Sequence, residues 1–439
     1  MSEMPVHSAA YKRRRFLNWF PLGLTYAFYY MGRYNLNVAA PTMMDNFGLS
    51  KTEFGVIATC GFWTYAASVL LNGPLADRIG GKKAIVIGAF GTAFVNLIIG
   101  LLFLNGWASK VVVGMSLLYA VNQYFQSFGA LSVVKVNSPW FHVKERGVFG
   151  GIFGILISLG YTFAYAVGGW VLSRFSWFWV FLVPTFVLAI MGLIDLIWVK
   201  DTPAEAGFEN FNTGDASSED KDKEKPLSMK ELLKRMFGSK VIRTLMASEF
   251  CTGFVRQGLM LWSTAFLVEK HHVLTGSWLF SVSSIGITVG GIVGGILCGW
   301  MSDKLFQSRR PPVAGIFYIM QIAAILLLTF TNNATLAAFM IGGSCIWIFG
   351  VHGMLTGTAS MDFGGTRGAS TVAGLLDGVQ YFASGFAGFG LGLVFDKIGW
   401  NAWLVLPVFS IIGFFLMRTI WDETPLKKNK EENKEPAKA

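Results

Sequence analysis

Charge is what this chain has least of: 14% of its 439 residues are Asp, Glu, Lys or Arg, against 53% hydrophobic. A soluble chain is about a quarter charged, so the shortage excludes an ordinary soluble domain and places the protein in a bilayer. Cysteine is scarce too. Cys60, Cys251, Cys298 and Cys345 fall one to an apolar segment, at spacings that suit neither a metal site nor a redox pair. They read as small buried apolar residues. Acidic residues are outnumbered 26 to 36 by Lys and Arg, a formal charge of +10. The basic residues sit in short connectors between apolar runs, which is a topology signal, so no nucleic-acid partner is expected. The sequence shows no Ser-His-Asp set, phosphate-cradling glycine loop or metal cluster, so neither an enzyme nor a bound cofactor or metal is expected. A cleavable signal peptide is not expected either, because Lys12-Arg13-Arg14-Arg15 leads directly into a long apolar run.

What abounds is apolar sequence. Windows near the ~20 residues needed to span a bilayer fall at 16–40, 53–76, 83–105, 110–136, 147–172 and 176–199, then at 242–268, 277–301, 312–331, 334–360, 367–394 and 401–421. The expectation is an all-α integral membrane protein of twelve transmembrane helices in two groups of six. Its divisions are a tail (1–15), a first bundle (16–199), a connector (200–241), a second bundle (242–421) and a tail (422–439). Gly214–Lys225 is charged with nothing to bury and reads as disordered. Pro226–Met236 has helical spacing suited to a membrane surface. Glycine runs such as Gly286–Gly295 suit helices in close approach. Basic residues gather on one side (Lys12–Arg15, Arg78, Lys82, Lys83, Lys144, Arg146, Lys304, Arg309, Arg310, Arg367), and the other side has isolated Lys51, Lys110, Arg174, Lys270 and Lys397. The positive-inside rule then puts both termini and the connector in the cytoplasm, with the plasma membrane (a bacterial inner membrane) as the expected location.

Two arginines interrupt this pattern. Arg33 and Arg256 each stand within an apolar stretch without an acidic neighbour, where a cation is costly and marks a functional site. Each precedes a Gly-x-x-x-Asp-(Arg/Lys) turn. The first holds Gly73, Asp77, Arg78, Lys82 and Lys83; the second holds Gly299, Asp303, Lys304 and Arg309. Arg33 is 44 residues before Asp77 (77 − 33) and Arg256 is 47 before Asp303 (303 − 256). A carrier built of two parallel repeats, with its substrate between them, has this plan. The turns read as gating elements that hold one face shut. The arginine pair reads as a clamp for a doubly charged anion, and the planar guanidinium fork suits phosphate. Tyr26, Tyr30 and Tyr65 add neutral donors, with Tyr26 and Tyr30 at i, i+4 and Arg33 three residues on. Each tyrosine alone reads more readily as an interfacial or packing aromatic. Asp377 has four readings: a balance for the arginine field, a substrate contact, a proton acceptor or a packing group. His352 is either pH-sensitive or neutral and hydrogen-bonded. Gln126 and Lys135 read as path-lining, and Glu249 and Asp195 as gate or cap residues.

The segments Tyr30-Met-Gly-Arg33-Tyr-Asn35, Lys144-Glu-Arg-Gly147, Asp201-Thr-Pro-Ala-Glu-Ala-Gly207, Arg256-Gln-Gly-Leu-Met-Leu-Trp262-Ser and Leu297-Cys-Gly-Trp-Met-Ser-Asp-Lys304 carry a family likeness. With them the chain resembles the organophosphate:phosphate antiporters of the major facilitator superfamily, which include bacterial glycerol-3-phosphate and hexose-phosphate exchangers. The resemblance implies the major facilitator fold of two six-helix pseudo-repeats. It implies a monomer in the bilayer that exchanges a phosphorylated small molecule for inorganic phosphate by alternating access. It also implies that Arg33 and Arg256 hold the phosphoryl group and that Tyr26, Tyr30, Tyr65 and Tyr381 line the pocket. Where the bacterial glycerol-3-phosphate exchanger has Lys, His and Asp, this chain has Val69, Ile157 and Leu261. Ser370–Gly378 instead looks like the eukaryotic sugar-phosphate branch. The implied cargo is thus glycerol-3-phosphate or a sugar phosphate. The alternatives are a non-transporting membrane sensor of sugar phosphate and a proton-coupled carrier of another organic anion with Asp377 as its proton site.

Overall fold

Short polar side chains start the helices. Ser8, Ser50, Ser239, Ser277 and Asn333 each accept a hydrogen bond from a backbone N–H in the first turn that follows, which satisfies a donor the helix itself leaves free. Ser50 and Glu53 complete a reciprocal capping box. Gly48 at φ 59° and Gly80 at φ 92° make left-handed breaks that a side chain would strain.

The computed structural model describes residues 7–107, 109–142, 145–213 and 237–423, and among these it contains helices and no strand. The first bundle comprises α1 (Ala9–Phe47), α2 (Lys51–Ile79), α3 (Gly81–Leu104), α4 (Val111–Gln126, continued by Phe128–Asn137), α5 (Arg146–Tyr161, a π turn Thr162–Val167, then Gly168–Arg174) and α6 (Trp179–Trp198). The second comprises α7 (Lys240–Ala265 with a π turn Phe266–Lys270), α8 (Trp278–Leu305), α9 (Arg310–Phe330), α10 (Ala334–Gly353 with a π turn Met354–Ala359), α11 (Ser360–Ile398) and α12 (Val405–Arg418).

Among the described residues, eight segments are long and apolar enough to cross a membrane, the last of them running through both α11 and α12. The rods that do not qualify are α1, α4 and α7. Of these, α4 is interrupted at Ser127 into two shorter pieces, while α1 and α7 carry the buried cations Arg33 and Arg256. Exposed Leu71, Phe94, Leu117, Ile190, Ile296 and Phe415 face outward, as lipid-facing residues do. The chain is an integral membrane protein.

Small residues set the closest packing. On α8, a Cβ added at Gly290 or Gly294 would meet the backbone oxygens of Gly342 and Ile346 on α10, so the glycine run does bring two backbones together. On the face bearing both chain ends, here the tail face, Arg15 pairs with Glu145 at 2.9 Å and Arg14 donates to the Trp198 carbonyl at 2.6 Å. The first part of the connector packs there: Phe208 and Phe211 lie against Tyr11 and Trp140. The expected disordered run 214–225, the surface helix 226–236, Lys144 and the tail after Glu423 lie outside the described residues.

The opposite, far face is sealed between the bundles. Lys51 on α2 pairs with Glu269 at 2.8 Å. The Asp396 carboxylate at the end of α11 accepts from the backbone N–H of Lys51 and of Thr52 at 3.0 and 2.9 Å, and so caps α2 from the other bundle. Thr59 donates to the Gly385 carbonyl at 2.6 Å, and Asn37 and Tyr165 both donate to the Met260 carbonyl. Toward the tail side, residues of α5, α8 and α10 line a cavity of about 590 Å³.

Candidate functional site

Arg33 is 1% exposed, and its burial is tolerable because neutral groups surround the guanidinium. Nε donates to Gln126 Oε1 at 3.2 Å, Nη1 to Tyr381 Oη at 3.1 Å, and Nη2 to the Gln126 carbonyl at 3.4 Å and to Tyr65 Oη at 3.5 Å. The rings of Tyr30 and Tyr65 lie 5.1 and 4.7 Å from its Cζ, within cation–π range. An asparagine relay fixes the helix beneath it. Asn35 donates to Asn96 at 2.6 Å, Asn96 to Asn122 at 3.0 Å, and Asn122 to the Gly32 carbonyl at 2.8 Å. Tyr119 adds a bond to the Arg33 carbonyl at 2.9 Å. These bonds lock α1 to α3 and α4 at the level of the arginine.

Arg256 is 4% exposed and far less well satisfied. It makes a long hydrogen bond from Nη1 to Tyr161 Oη at 3.5 Å, and Nε and Nη2 have no partner among the described protein atoms. Its Cζ stands 5.6 Å from the Tyr381 ring, the same residue whose hydroxyl Arg33 reaches. Tyr381 therefore joins the two cations across the bundle interface. Asp377 is within electrostatic reach of both arginines. The cavity runs from Tyr30, Tyr161 and Arg256 toward the tail face past His352. Chemically the arrangement offers two fixed positive charges, unused guanidinium donors on one of them, and a wall of tyrosines.

The structure thus gathers Arg33, Arg256, Tyr30, Tyr65, Tyr381, Asp377 and His352 around one region. Tyr26 is one layer back, its ring 5.8 Å from that of Tyr30 and against Gly129 of α4. Of the three departures from the glycerol-3-phosphate pattern, Ile157 lines the cavity, while Val69 and Leu261 are buried in the core.

Several expectations change. Lys135 does not line a path: its ammonium pairs with Asp77 at 2.7 Å and is largely at the surface. Glu249 is neither a gate nor a cap at a helix end, because it is fully buried and its Oε2 lies 3.4 Å from His352 Nδ1. Asp195 is also fully buried, near Thr25, so it cannot cap an exposed end. In the two turns, Asp303 pairs with Arg310 at 2.7 Å, whereas Arg309 reaches Asp422 at 3.7 Å. Arg78, Lys83 and Lys304 are exposed, and Lys82 uses its backbone N–H to bond Asp201 at 2.7 Å. Burial pushes the Asp201 carboxyl above its ordinary range, and the Lys82 and Gly81 backbone amides offset part of that. Gly73 and Gly299 have open space where a Cβ would stand. Sequence reasoning missed Tyr161, Tyr119 and the relay Asn35–Asn96–Asn122; asparagines inside apolar windows were the available signal.

With this geometry in hand, the likeness to known proteins can be placed. The Major Facilitator Superfamily model matches residues 22–388, more than half of the chain. A probable hexose phosphate transport protein of Chlamydia pneumoniae is 25% identical over 97% of this chain and 95% of its own length. The glycerol-3-phosphate transporter of Bacillus subtilis is 28% identical over 94% of both. Among solved structures, a bacterial homologue of the human lysosomal transporter Spinster, inward-facing and unoccupied, superposes with a TM-score of 0.73 over 94% of this chain and 98% of that one. At 17% identity, what the two share is the fold.

Proposed function

The chain belongs to the major facilitator superfamily, and from that premise we propose that it exchanges an organic phosphate for inorganic phosphate by alternating access. The organic partner is glycerol-3-phosphate or a sugar phosphate, and the carrier works as a monomer in a bacterial plasma membrane. The tail face is its cytoplasmic side, in keeping with the basic connectors there. One observation carries the reading: Arg33 and Arg256 converge on Tyr381, and Arg256 keeps two buried donors without an acceptor among the described residues.

With the far face sealed and the cavity on the tail side, cargo reaches the arginines from the cytoplasm. Closing the cavity over an empty site would desolvate two like charges together, which is costly. A phosphoryl dianion offsets that cost by taking the free donors of Arg256 and facing Arg33. At an effective dielectric constant near 20, one cation–anion contact at ~4 Å is of order 4 kcal/mol before desolvation. Two such contacts exceed the few kcal/mol that separate the states of a two-state carrier. Loaded carriers then close readily and empty ones do not, so transport is exchange. Tyr30, Tyr65 and Tyr381 orient the phosphoryl group, with Tyr26 behind them. Asp377, His352 and Ile157 meet the organic part. The pairs Asp77–Lys135 and Asp303–Arg310 act as latches that each bundle closes within itself while the tail side is open. Gly73, Arg78, Lys82, Lys83, Gly299, Lys304 and Arg309 make up the rest of the gating turns.

The test is exchange by purified protein in phosphate-loaded vesicles. Arg33→Lys and Arg256→Lys should each abolish it, since an ammonium cannot reproduce the planar fork; near-normal exchange in either would sink the clamp. Counterflow against glycerol, hexose and triose phosphates identifies the organic partner. Binding of a sugar phosphate without any uptake would overturn the carrier reading in favour of a sensor.

A further inference from the structure

Glu249 is a buried carboxylate that the phosphate clamp does not use. It is on α7, two helical turns before Arg256, and is fully buried. Oε2 lies 3.4 Å from Nδ1 of His352 on α10, and Oε1 has no partner among the described protein atoms. His352 keeps 19% of its side chain exposed and lines the tail-side cavity with Arg256, Tyr30 and Tyr161. The imidazole thus has a dry side toward Glu249 and a wet side toward the cavity. Such a pair titrates as a unit, holding one proton at no net charge or none at a net charge of −1.

The groups facing the pair come from five helices: Arg256 and Cys251 on α7, Asp377 on α11, Tyr318 on α9, Tyr161 on α5 and Tyr30 on α1. A dianion held by Arg256, two turns along α7 from Glu249, brings negative charge toward the pair, and a proton on the pair offsets part of it. Linkage is reciprocal, so the dianion strengthens proton binding and the proton strengthens dianion binding.

We propose that the Glu249–His352 pair is a proton-binding site coupled to the anion site. When a phosphoryl dianion arrives at the arginines, one proton from cavity water forms the N–H bond at His352 Nε2, and it returns to water when the anion leaves. The inference depends on the phosphate reading above.

Isothermal titration of inorganic phosphate into the purified full-length protein tests it. Repeating the titration in buffers of different ionisation enthalpy gives the protons taken up per phosphate. The ligand's own titration is common to all proteins and cancels in the comparison. Wild type should take up more protons than His352→Gln or Glu249→Gln, by a sizeable fraction of one. The double variant should match the single ones. Phosphate affinity of wild type should also fall more steeply as pH rises, by as much as a further tenfold per pH unit. A merely structural role would change affinity or melting temperature but leave the proton number alone. Equal proton uptake in wild type and His352→Gln overturns the proposal, and that variant retains the buried carboxylate should Glu249→Gln fail to fold. Absence of phosphate binding by wild type at every pH would overturn the phosphate reading itself, and this inference with it.

Discussion

Arg33 and Arg256 are matched in sequence but not in their surroundings, and that difference is measurable. The donors of Arg33 are engaged by Gln126, Tyr65 and Tyr381, so Arg33 holds helices together even without cargo. Arg256 leaves Nε and Nη2 without partners among the described residues. Arg33→Lys should therefore lower the melting temperature of the empty protein, because a lysine leaves Gln126 and the tyrosines unpaired. Arg256→Lys should leave the empty protein's melting temperature nearly unchanged but remove the stabilisation that phosphate confers. Two lost charge-assisted hydrogen bonds, at about 1.5–3 kcal/mol each, predict a loss of affinity of about a hundredfold or more. Thermal melts with and without phosphate read both effects, and equal behaviour of the two variants would refute the asymmetry. The arginines themselves were legible, since a charge in an apolar run stands out. Their partners were not. Gln126 and Asn96 are uncharged, and which helix they face depends on a packing register that no local pattern encodes. Glu249 misled for a related reason: it is near the start of an apolar window, but position along a helix does not tell depth within a bundle.

Among the elements, α1 is the longest of the first bundle, its 39 residues spanning about 58 Å at 1.5 Å each. That exceeds a hydrocarbon core of ~30 Å, so its first turns stand clear of the membrane on the tail face. There Arg15 and Glu145 fasten it to the loop before α5. Burial alone would raise the Glu145 carboxyl, but the hydrogen bonds and charge of Arg15 override it and hold it below the ordinary carboxylate range. The sign follows: a depressed carboxyl contributes stability that is present above its unfolded value and is lost as pH falls through its folded one. Protection of the amides of residues 9–20, taken relative to the intrinsic exchange rate at each pH, should thus stay constant from neutral pH down to the ordinary carboxylate range and fall only below it. Glu145→Gln should show the lower protection at every pH. Helix positions were readable because the apolar windows are long, but their ends were not. The window 16–40 became Ala9–Phe47 because Ser8 and Gly48, rather than hydropathy, set where the turns stop. The break of α4 at Ser127 left no trace in composition, and the strap formed by Phe208 and Phe211 depends on aromatic partners far off in sequence.

For the whole molecule, the seal on the far face decides which side the site serves at rest. None of it was legible beforehand: Lys51, Glu269 and Asp396 are single charges in separate connectors or helix ends, and only the docked bundles bring them together. Removing the Asp396 side chain should weaken the seal by the value of one helix cap, about 1 kcal/mol, or roughly fivefold in the balance of the two states. A cysteine introduced at Ser158, which lines the cavity behind the seal, should then be labelled faster from the far face in Asp396→Ala than in the parent; unchanged labelling would show that the cap does not hold the seal. A helix start capped by the opposite bundle also makes the two directions of travel unequal. Each time the far side opens, the Lys51 and Thr52 amides exchange the Asp396 carboxylate for water while the Ser50–Glu53 box keeps the turn wound, and those bonds must be remade before the gate can shut. The two faces are therefore unlike doors: the far one must break bonds between the bundles before anything passes, and the tail one stands open on the cavity.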